Sequence, residues 1–453
     1  MRDKINASFK RDDAAFILAG IVIFILFLAT PLIGDDAVYI GEYSAYSLGE
    51  AFVKAAERVV LEWHIWSSRI LINYTCLITI ILGRVFFASM NGLFTYVLLK
   101  SVSVLFNTKG RTNIKITCLF FLFPFIIWSS AGWYATIVTY YWPVVTGVVS
   151  LIPIAKYMRE EKMKKIEYII YSIALIYCAN TEQGMVFVLL TYSVFFVIIL
   201  IKNKITCYLV IQELFAIASM IAFILNPGNK ARKVAEIGNW FPEYGMLSVF
   251  DKIEMGISTT LYTVLLSNYV LVIAVCLIIL NIIFKKYKDS IIRFLAGIPL
   301  YVTLLLGPLK DILFVMFPQM NKLITSIPKL GVVNIETYGY NTYFIEFFLL
   351  TIASVIIIFD IILIYGNEWK TYLLISLILG GAAGRFAMGL SPTIYASGIR
   401  TFSNLLLLFF VVGAALIAKN DEVRTKSGIM TKEEIVYILG ATLGICNLAS
   451  TLI

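Results

Sequence analysis

The chain has 453 residues, of which 60% are hydrophobic and only 14% are charged. Soluble globular chains carry about 25% charged residues, so this composition excludes an array of water-soluble domains and predicts one polytopic membrane domain over residues 1–453. The single histidine, His64, excludes a histidine-rich metal centre. Six cysteines scattered singly through apolar stretches give no disulfide or zinc-site spacing.

Thirteen apolar stretches are long enough, or nearly long enough, to span a bilayer. About 20 helical residues at 1.5 Å each cover the hydrocarbon core. The expected fold class is therefore an all-α polytopic membrane protein with about thirteen transmembrane helices. The stretches are 14–33, 85–106, 114–130, 138–155, 167–180, 184–201, 206–225, 257–284, 294–309, 343–366, 371–388, 401–418 and 434–453.

The positions of the basic residues predict the orientation. With the N-terminus inside, the inward segments hold 23 Lys and Arg residues and the outward segments hold 13. Because cytoplasmic loops are enriched in Lys and Arg, we expect a multi-pass protein of the cell membrane with a cytoplasmic N-terminus. The net charge of +9 then reflects topology, and no nucleic-acid partner is expected.

The longest connections all lie on the predicted outer side, at 34–84, 226–256 and 310–342. An enzyme that works at the outer face of the membrane would show this asymmetry. The loop 226–256 combines basic and aromatic side chains, which suit either anionic lipid headgroups or an anionic acceptor polymer.

The first outer loop opens with the acidic pair Asp35-Asp36, directly after the first predicted span. Such carboxylates must face water, cap a turn or point into a protein cavity, because burial in lipid is costly. From Leu48 to Trp66, apolar residues recur at steps of three and four opposite a charged face, which predicts a helix in the membrane interface. The stretch Ile70–Leu82 is short for a span and predicts an interfacial or re-entrant segment.

Several short motifs accompany the acidic pair. They are Asp35 to Tyr39, Trp66-Ser67-Ser68-Arg69, Thr139-Tyr140-Tyr141-Trp142, Asn180-Thr181-Glu182, and Pro392 followed by Arg400. Together with a first outer loop of interfacial helices, they resemble the GT-C superfamily of integral membrane glycosyltransferases, which take a sugar from a polyprenyl-phosphate carrier. Within that superfamily the chain is similar to bacterial enzymes that modify serotype or surface polysaccharides.

The resemblance implies that Asp35 is the base that takes the proton of the acceptor hydroxyl, with Asp36 as a helper or a structural cap. The departing phosphate gathers negative charge, which preorganised cations would stabilise. The outward-side candidates for this role are Arg69, Arg84, Arg385 and Arg400. The implied partners are a polyprenyl-phosphate-linked sugar donor, a surface glycan or glycopolymer acceptor and the lipid bilayer. Direct displacement would invert the anomeric carbon.

Some of these residues have a second interpretation. Arg385 interrupts an apolar run, so it either faces a cavity or snorkels to the membrane surface. Glu182 is either a solvated turn residue or a ligand for a sugar or a metal. Tyr141 and Trp142 belong to either a sugar-stacking platform or an aromatic belt. No cofactor is certain. The resemblance leaves a divalent metal open, although the chain lacks the dense carboxylate cluster that an all-oxygen metal site prefers.

Two other functional classes remain at this point. A polysaccharide polymerase or ligase would also have long outer loops, but its signature would be arginine-rich loops late in the chain. A flippase or secondary transporter would place charged residues near the bilayer midplane of several helices. Asp360 is one such residue, and it is nearly alone in the sequence.

Overall fold

The computed structural model of the protein describes residues 13–202, 206–267, 270–323, 330–332, 337, 341–422 and 432–452. This part of the chain is helical and contains no β-strand, which confirms the all-α class. Residues 1–12 of the predicted inward segment 1–13 and residues 423–431 of the predicted inward segment 419–433 lie outside the described residues, as do 324–329, 333–336 and 338–340 of the predicted outer loop 310–342.

The first ten helices are α1 Ala14–Phe27, α2 Asp35–Tyr43, α3 Leu48–Ile65, α4 Ile70–Phe106, α5 Arg111–Phe120, α6 Trp133–Met158, α7 Lys165–Ala179, α8 Glu182–Ile201, α9 Cys207–Leu225 and α10 Pro227–Trp240. The later helices are α11 Val249–Leu266, α12 Val270–Lys286, α13 Ser290–Leu306, α14 Lys310–Met316, α15 Pro318–Leu323, α16 Asn341–Tyr365, α17 Trp369–Phe386, α18 Ser403–Glu422 and α19 Lys432–Leu452. Short 3-10 turns occupy Phe125–Ser129, Pro242–Met246, Ala387–Leu390 and Gly398–Phe402.

The number of membrane spans differs from the prediction. Within the described residues, eight helices are long and apolar enough to cross a membrane, or ten spans if each of two bent pairs counts as one. The bent pairs are α11 with α12 and α13 with α14, and the second pair is bent by 82°. The number thirteen is therefore not confirmed. The stretches 14–33, 114–130 and 167–180 form helices of only 14, 10 and 15 residues.

These three short helices nevertheless begin at one common end of the molecule. Asp13, just before α1, pairs with Lys100 near the end of α4 at 2.8 Å. Lys115 in α5 pairs with Asp421 at the end of α18 at 2.6 Å. Glu167 at the start of α7 pairs with the Lys156 side chain at 2.6 Å. Each of these ion pairs thus includes a residue in a segment that the sequence predicts to be inward, namely Asp13, Lys115 or Lys156.

The segment Ile70–Leu82 is helical, but it is not a separate element. It continues into the predicted span 85–106 as one 37-residue helix, α4, which is interrupted only at Gly83 with φ 80° and ψ −172°. Glycine adopts this conformation readily because it has no Cβ. The predicted interfacial or re-entrant segment is thus the first part of a broken long helix.

The predicted amphipathic helix of the first outer loop is confirmed as α3, Leu48–Ile65. Ser47 caps its N-terminus and exchanges hydrogen bonds with Glu50, as a capping box does. The buried stripe consists of Ala51, Ala55 and Val59, each one turn apart. Leu48 and Trp66, at the ends of the predicted apolar face, are 56% and 41% exposed. The surface of α3 that packs against the rest of the protein is therefore narrower than its apolar face.

The core is built around α18. Residues 401–418 of its span are all buried, whereas α1 and α9 leave many large apolar side chains exposed. Such exposed apolar surfaces suit a lipid bilayer. Four of the six cysteines, Cys76, Cys118, Cys178 and Cys276, are buried as core residues, while Cys207 and Cys446 are exposed.

Candidate functional site

A cavity of about 670 Å³ lies at the end of the molecule opposite the ion pairs described above. Its size falls within the ~300–1,000 Å³ that is typical of small-molecule sites. The walls are formed by Asp35, the ends of α3 and α9, α10, the starts of α4, α6 and α8, and the segment 384–404. Most of these segments are ones that the sequence predicts to lie outside.

The structure brings together four of the predicted site residues. Asp35, Arg69, Glu182 and Arg400 all line this cavity. They come from four separate parts of the chain, so their proximity is a property of the tertiary structure.

A tight turn positions the acidic pair. Gly34 has φ +55°, and a Cβ there would lie 2.6 Å from the carbonyl oxygen of Ala131, so only glycine fits this conformation and this close approach. The backbone N–H of Asp35 donates to the same Ala131 oxygen at 2.8 Å. Gly132 has φ +120°, and a Cβ there would lie 2.6 Å from the Asp36 carboxylate. The two glycines let the pair dock on the start of α6.

The two carboxylates have different surroundings. Asp36 is fully buried, and its oxygens accept hydrogen bonds from the backbone N–H groups of Tyr134 at 3.0 Å and Ala135 at 2.9 Å. Asp36 therefore caps the N-terminus of α6, where unpaired N–H groups favour a carboxylate. Burial raises the pKa of Asp36 to about 6, although these N–H donors act in the opposite direction.

Asp35 faces the cavity instead. Desolvation there raises the pKa of Asp35, while the positive charge of Arg400 lowers it. Asp35 is therefore a carboxylate with a nearby cation and open access to the cavity. This is the arrangement that a general base requires.

The motif Asn180-Thr181-Glu182 joins the first outer loop to α8. Glu182 forms an ion pair with Arg69 at 2.6 Å. The Asn180 side-chain oxygen accepts hydrogen bonds from the N–H groups of Leu71 and Ile72, at 2.9 Å and 3.2 Å, and so caps α4. Thr181 caps α8 by accepting a hydrogen bond from the Gly184 N–H at 3.1 Å. Each polar residue of the motif thus fixes the position of an element at the cavity.

The predicted loop 226–256 is largely helical, and α10 forms one wall. Asn226 donates a hydrogen bond to the Trp63 carbonyl at 2.8 Å and holds α10 against the end of α3. The Arg232 guanidinium lies 5.3 Å from the centre of the Trp66 ring, within the range of a cation–π contact. Burial and the charge of Arg69 lower the pKa of Arg232. Lys230 and Lys233 add two further cations to this wall.

Arg385 and Arg400 occupy different positions. Arg400 lines the cavity, and it forms no ion pair within the described part of the chain. Arg385 is only 3% exposed, and its guanidinium lies 4.2 Å from the centre of the Phe402 ring. Its neighbours Gly384 and Ala387 line the cavity. Arg385 is therefore inside the protein just behind the wall and does not snorkel.

Besides Asp36 and Arg385, three further predicted site residues do not line the cavity. Tyr141 and Trp142 are each 1% exposed, which fits neither a sugar platform nor an aromatic belt. The Tyr141 hydroxyl pairs with Thr95 at 2.9 Å, and the Trp142 ring nitrogen donates to Asn91 at 2.9 Å. Arg84 is exposed and lies outside the cavity lining.

The neighbouring Tyr140 does line the cavity. A π-helical turn over Ile137–Tyr141 shifts the register of α6 at this position, and such turns are frequent at functional sites. Within this motif, the structure places Tyr140 at the cavity and Tyr141 and Trp142 in the core.

Sequence reasoning missed two lining residues, Gln183 and Asn404, which are buried polar side chains at the cavity. Lys230 and Arg232, on its wall, belong to the basic and aromatic loop 226–256 that the sequence had singled out. A signal for Gln183 and Asn404 was present, since each is a polar residue at the beginning of a predicted span on the outer side. Nothing in the sequence indicated that the two are neighbours.

No group of three or more His, Cys, Asp or Glu side chains that could hold a metal ion occurs among the described residues. Glu182, which the sequence left open as a ligand for a sugar or a metal, is paired with Arg69. No protein-family model, curated protein or solved structure matches this chain.

Proposed function

We propose that this protein is a membrane glycosyltransferase that moves a sugar from a polyprenyl-phosphate carrier to a cell-surface glycan or glycopolymer at the outer face of the membrane. The observation that carries the proposal is the placement of Asp35 in a cavity with Arg400, while Asp36 is buried as the cap that fixes the turn.

The proposed chemistry needs one base and a cation. Asp35 accepts the proton of the acceptor hydroxyl as that oxygen attacks the anomeric carbon. The bond from the anomeric carbon to the phosphate oxygen breaks, and the electron pair leaves with the polyprenyl phosphate. Arg400 stabilises the negative charge that develops on this phosphate. Such a displacement inverts the anomeric carbon.

The surface near the cavity supports a lipid-linked donor. Phe223 and Ile224 at the end of α9 belong to the cavity lining. Ile224 and its neighbour Leu225 are 59% and 71% exposed, so an apolar outer surface reaches the edge of the cavity. A polyprenyl tail can lie along such a surface while its phosphate enters the cavity.

The decisive experiment supplies purified protein in lipid nanodiscs with radiolabelled polyprenyl-phosphate sugars and a cell-envelope acceptor fraction. We expect release of free polyprenyl phosphate together with labelled acceptor. A polymerase or ligase would leave the single-sugar donor unused and consume a lipid-linked glycan instead. An intact donor under all conditions would contradict the transferase proposal.

One observation favours a transporter as the second candidate. The carboxylates of Glu346 and Asp360, both in α16, are buried and have no hydrogen-bond partner in the described part of the chain. They are 14 positions apart, or about 21 Å along a helix. Buried acidic groups of this kind mark ion or substrate pathways in membranes. Movement of an intact lipid-linked sugar across a liposome bilayer would support this function.

A further inference from the structure

The three cations of α10 all face the cavity. Lys230, Arg232 and Lys233 belong to its lining. At 3.6 residues per turn, the residues of α10 that line the cavity occupy one half of the helix. The other half carries no charge, and its exposed residues are Pro227, Ala231, Val234, Ala235, Gly238 and Asn239. A helix that bound anionic lipid headgroups would present its cations on the outer surface. The arrangement therefore favours an anionic ligand inside the cavity.

The acids of the cavity do not balance all of these charges. Each acid that lines the cavity already has an arginine near it, and the pairs are Glu62 with Arg58, Glu182 with Arg69, Glu236 with Arg232, and Asp35 with Arg400. Lys230 and Lys233 form no ion pair in the part of the chain that the structure describes. They therefore give the cavity two positive charges that no acid of the lining neutralises.

The proposed donor does not account for these two lysines. A sugar joined to polyprenyl phosphate carries one negative charge, on the phosphodiester. This phosphate is attached to the anomeric carbon, which the proposed reaction requires near Asp35. Arg400 is the cation whose charge acts on Asp35, so the carrier phosphate belongs near Arg400. Lys230 and Lys233 are then left for a second anionic ligand.

Exposed aromatic rings accompany the lysines. Trp66 at the end of α3 and Trp240 at the end of α10 both line the cavity, and they are 41% and 60% exposed. Trp240 follows Lys233 by two helical turns on the same half of α10. The apolar faces of sugar rings can pack on such aromatic surfaces, while charged substituents reach the lysines. The combination suits a charged chain of sugars better than a small inorganic anion.

We propose that the face of α10 formed by Lys230, Lys233 and Trp240, which we call the acceptor wall, binds the acceptor, and that this acceptor is an anionic glycan with phosphate or carboxylate groups. The inference rests on the proposed glycosyltransferase function, because it assigns the second substrate of that reaction. Of the two ligands that loop 226–256 suits by its composition, the orientation of its cations favours the polymer over lipid headgroups.

Binding measurements test the acceptor wall without requiring turnover. The probes are a fluorescently labelled oligogalacturonate, which carries carboxylates, a glycerol phosphate oligomer, which carries phosphodiesters, and a neutral dextran oligosaccharide of similar length. Each probe is titrated against the full-length protein in nanodiscs of zwitterionic lipid, so that no anionic headgroup competes for the lysines. A polyprenyl-phosphate sugar is titrated in parallel as the donor.

The variants separate charge from position. Lys230→Gln and Lys233→Gln, singly and together, remove the charges, whereas the double variant Lys230→Arg with Lys233→Arg keeps them. Lys54→Gln is the matched control for each single variant. Lys54 is an exposed lysine of α3 in the first outer loop, and it is outside the cavity lining.

We expect the wild type to bind at least one anionic oligomer about 10-fold more tightly than the neutral one. Each single glutamine variant should weaken this binding by about 3-fold and the double variant by about 10-fold, the size expected for exposed charge contacts. The double arginine variant and Lys54→Gln should bind like the wild type. The Kd of the donor should stay within about 2-fold in every variant.

Three results would overturn the inference. The first is that the wild type shows no preference for either anionic oligomer, or binds none of the probes. The second is anionic binding that survives in the double glutamine variant. The third is an equal loss of affinity for donor and oligomer in that variant, which would assign the lysines to the carrier phosphate. Failure of the glycosyltransferase proposal is recognised separately, as binding of donor and acceptor without consumption of the donor.

Discussion

The guanidinium of Arg69 and the carboxylate of Glu182, 113 positions apart in the sequence, lie 2.6 Å from each other at the wall of the cavity. Both side chains are largely buried, with 19% and 24% of their surface exposed. The pair joins the end of the first outer loop to the start of α8. Its role is therefore to fix the shape of the cavity.

A double-mutant cycle tests this role. Arg69→Gln and Glu182→Gln should each lower the melting temperature of the purified protein, because each leaves one largely buried charge without its partner. The double variant should lose less stability than the sum of the two single variants' losses. The coupling free energy between the two side chains should be on the order of 1–3 kcal/mol. Strictly additive losses would show that the two charges do not interact in the folded protein.

The acidic pair provides the sharpest test of catalysis. Asp35→Asn should abolish nearly all sugar transfer while the melting temperature stays close to that of the wild type, because the amide keeps the size but cannot accept the proton. Asp36→Asn is the matched control. It should mainly lower stability, since one oxygen of the α6 cap becomes an NH₂ group that cannot accept from the backbone. Near-normal transfer by Asp35→Asn would reject Asp35 as the base.

Arg400 should control the pH dependence of transfer. Its charge lowers the pKa of Asp35, so Arg400→Gln should raise that pKa and shift the acidic limb of the kcat/KM profile to higher pH. The same variant should reduce kcat/KM at neutral pH, because the departing phosphate loses its cation. The measurement is the rate of transfer from pH 4 to pH 8. An acidic limb at the same pH in the variant and the wild type would show that the charge of Arg400 does not act on Asp35.

Asp36 should make stability depend on pH in a defined direction. The pKa of Asp36 rises from 3.8 to about 6 on folding, so the folded protein holds this proton more tightly than the unfolded chain. The contribution of Asp36 to stability is therefore complete below pH 3.8 and is lost as the pH rises to about 6. A shift of this size corresponds to about 3 kcal/mol.

The measurement is the melting temperature of the wild type and of Asp36→Asn, followed by tryptophan fluorescence from pH 3.5 to pH 7. The difference in melting temperature between the two proteins should change over this pH range, because asparagine does not titrate. A difference independent of pH would contradict the raised pKa.

Cysteine labelling tests the predicted orientation. In a background with the exposed Cys207 and Cys446 replaced by serine, Val234→Cys should react with a membrane-impermeant maleimide added to intact cells. Val234 is 74% exposed on the α10 surface. Lys162→Cys, between α6 and α7, should react only after the membrane is permeabilised. The opposite pattern would place Asp35 in the cytoplasm and reject an outer-face enzyme.

The sequence by itself determined the class of protein, the local helices and part of the site. Hydropathy determined the all-α class, because a span must satisfy every backbone hydrogen bond within its own helix. The stripe of apolar residues predicted α3 to within one residue at its end. The pair Asp35-Asp36 and the motif around Glu182 could be recognised in the sequence. A carboxylate at the end of a span must face water, cap a turn or point into a protein cavity, because burial in lipid is costly.

Only the tertiary structure decided which of these residues meet. Hydropathy could not show that 14–33, 114–130 and 167–180 form short helices, since a window of apolar residues does not record where a helix ends. It could not separate the exposed Asp35 from the buried Asp36, because their environments come from the start of α6, about a hundred residues away. Gln183 and Asn404 meet at the cavity only through the packing of α8 and α18. Distances between segments far apart in the chain depend on packing, which a single sequence does not specify.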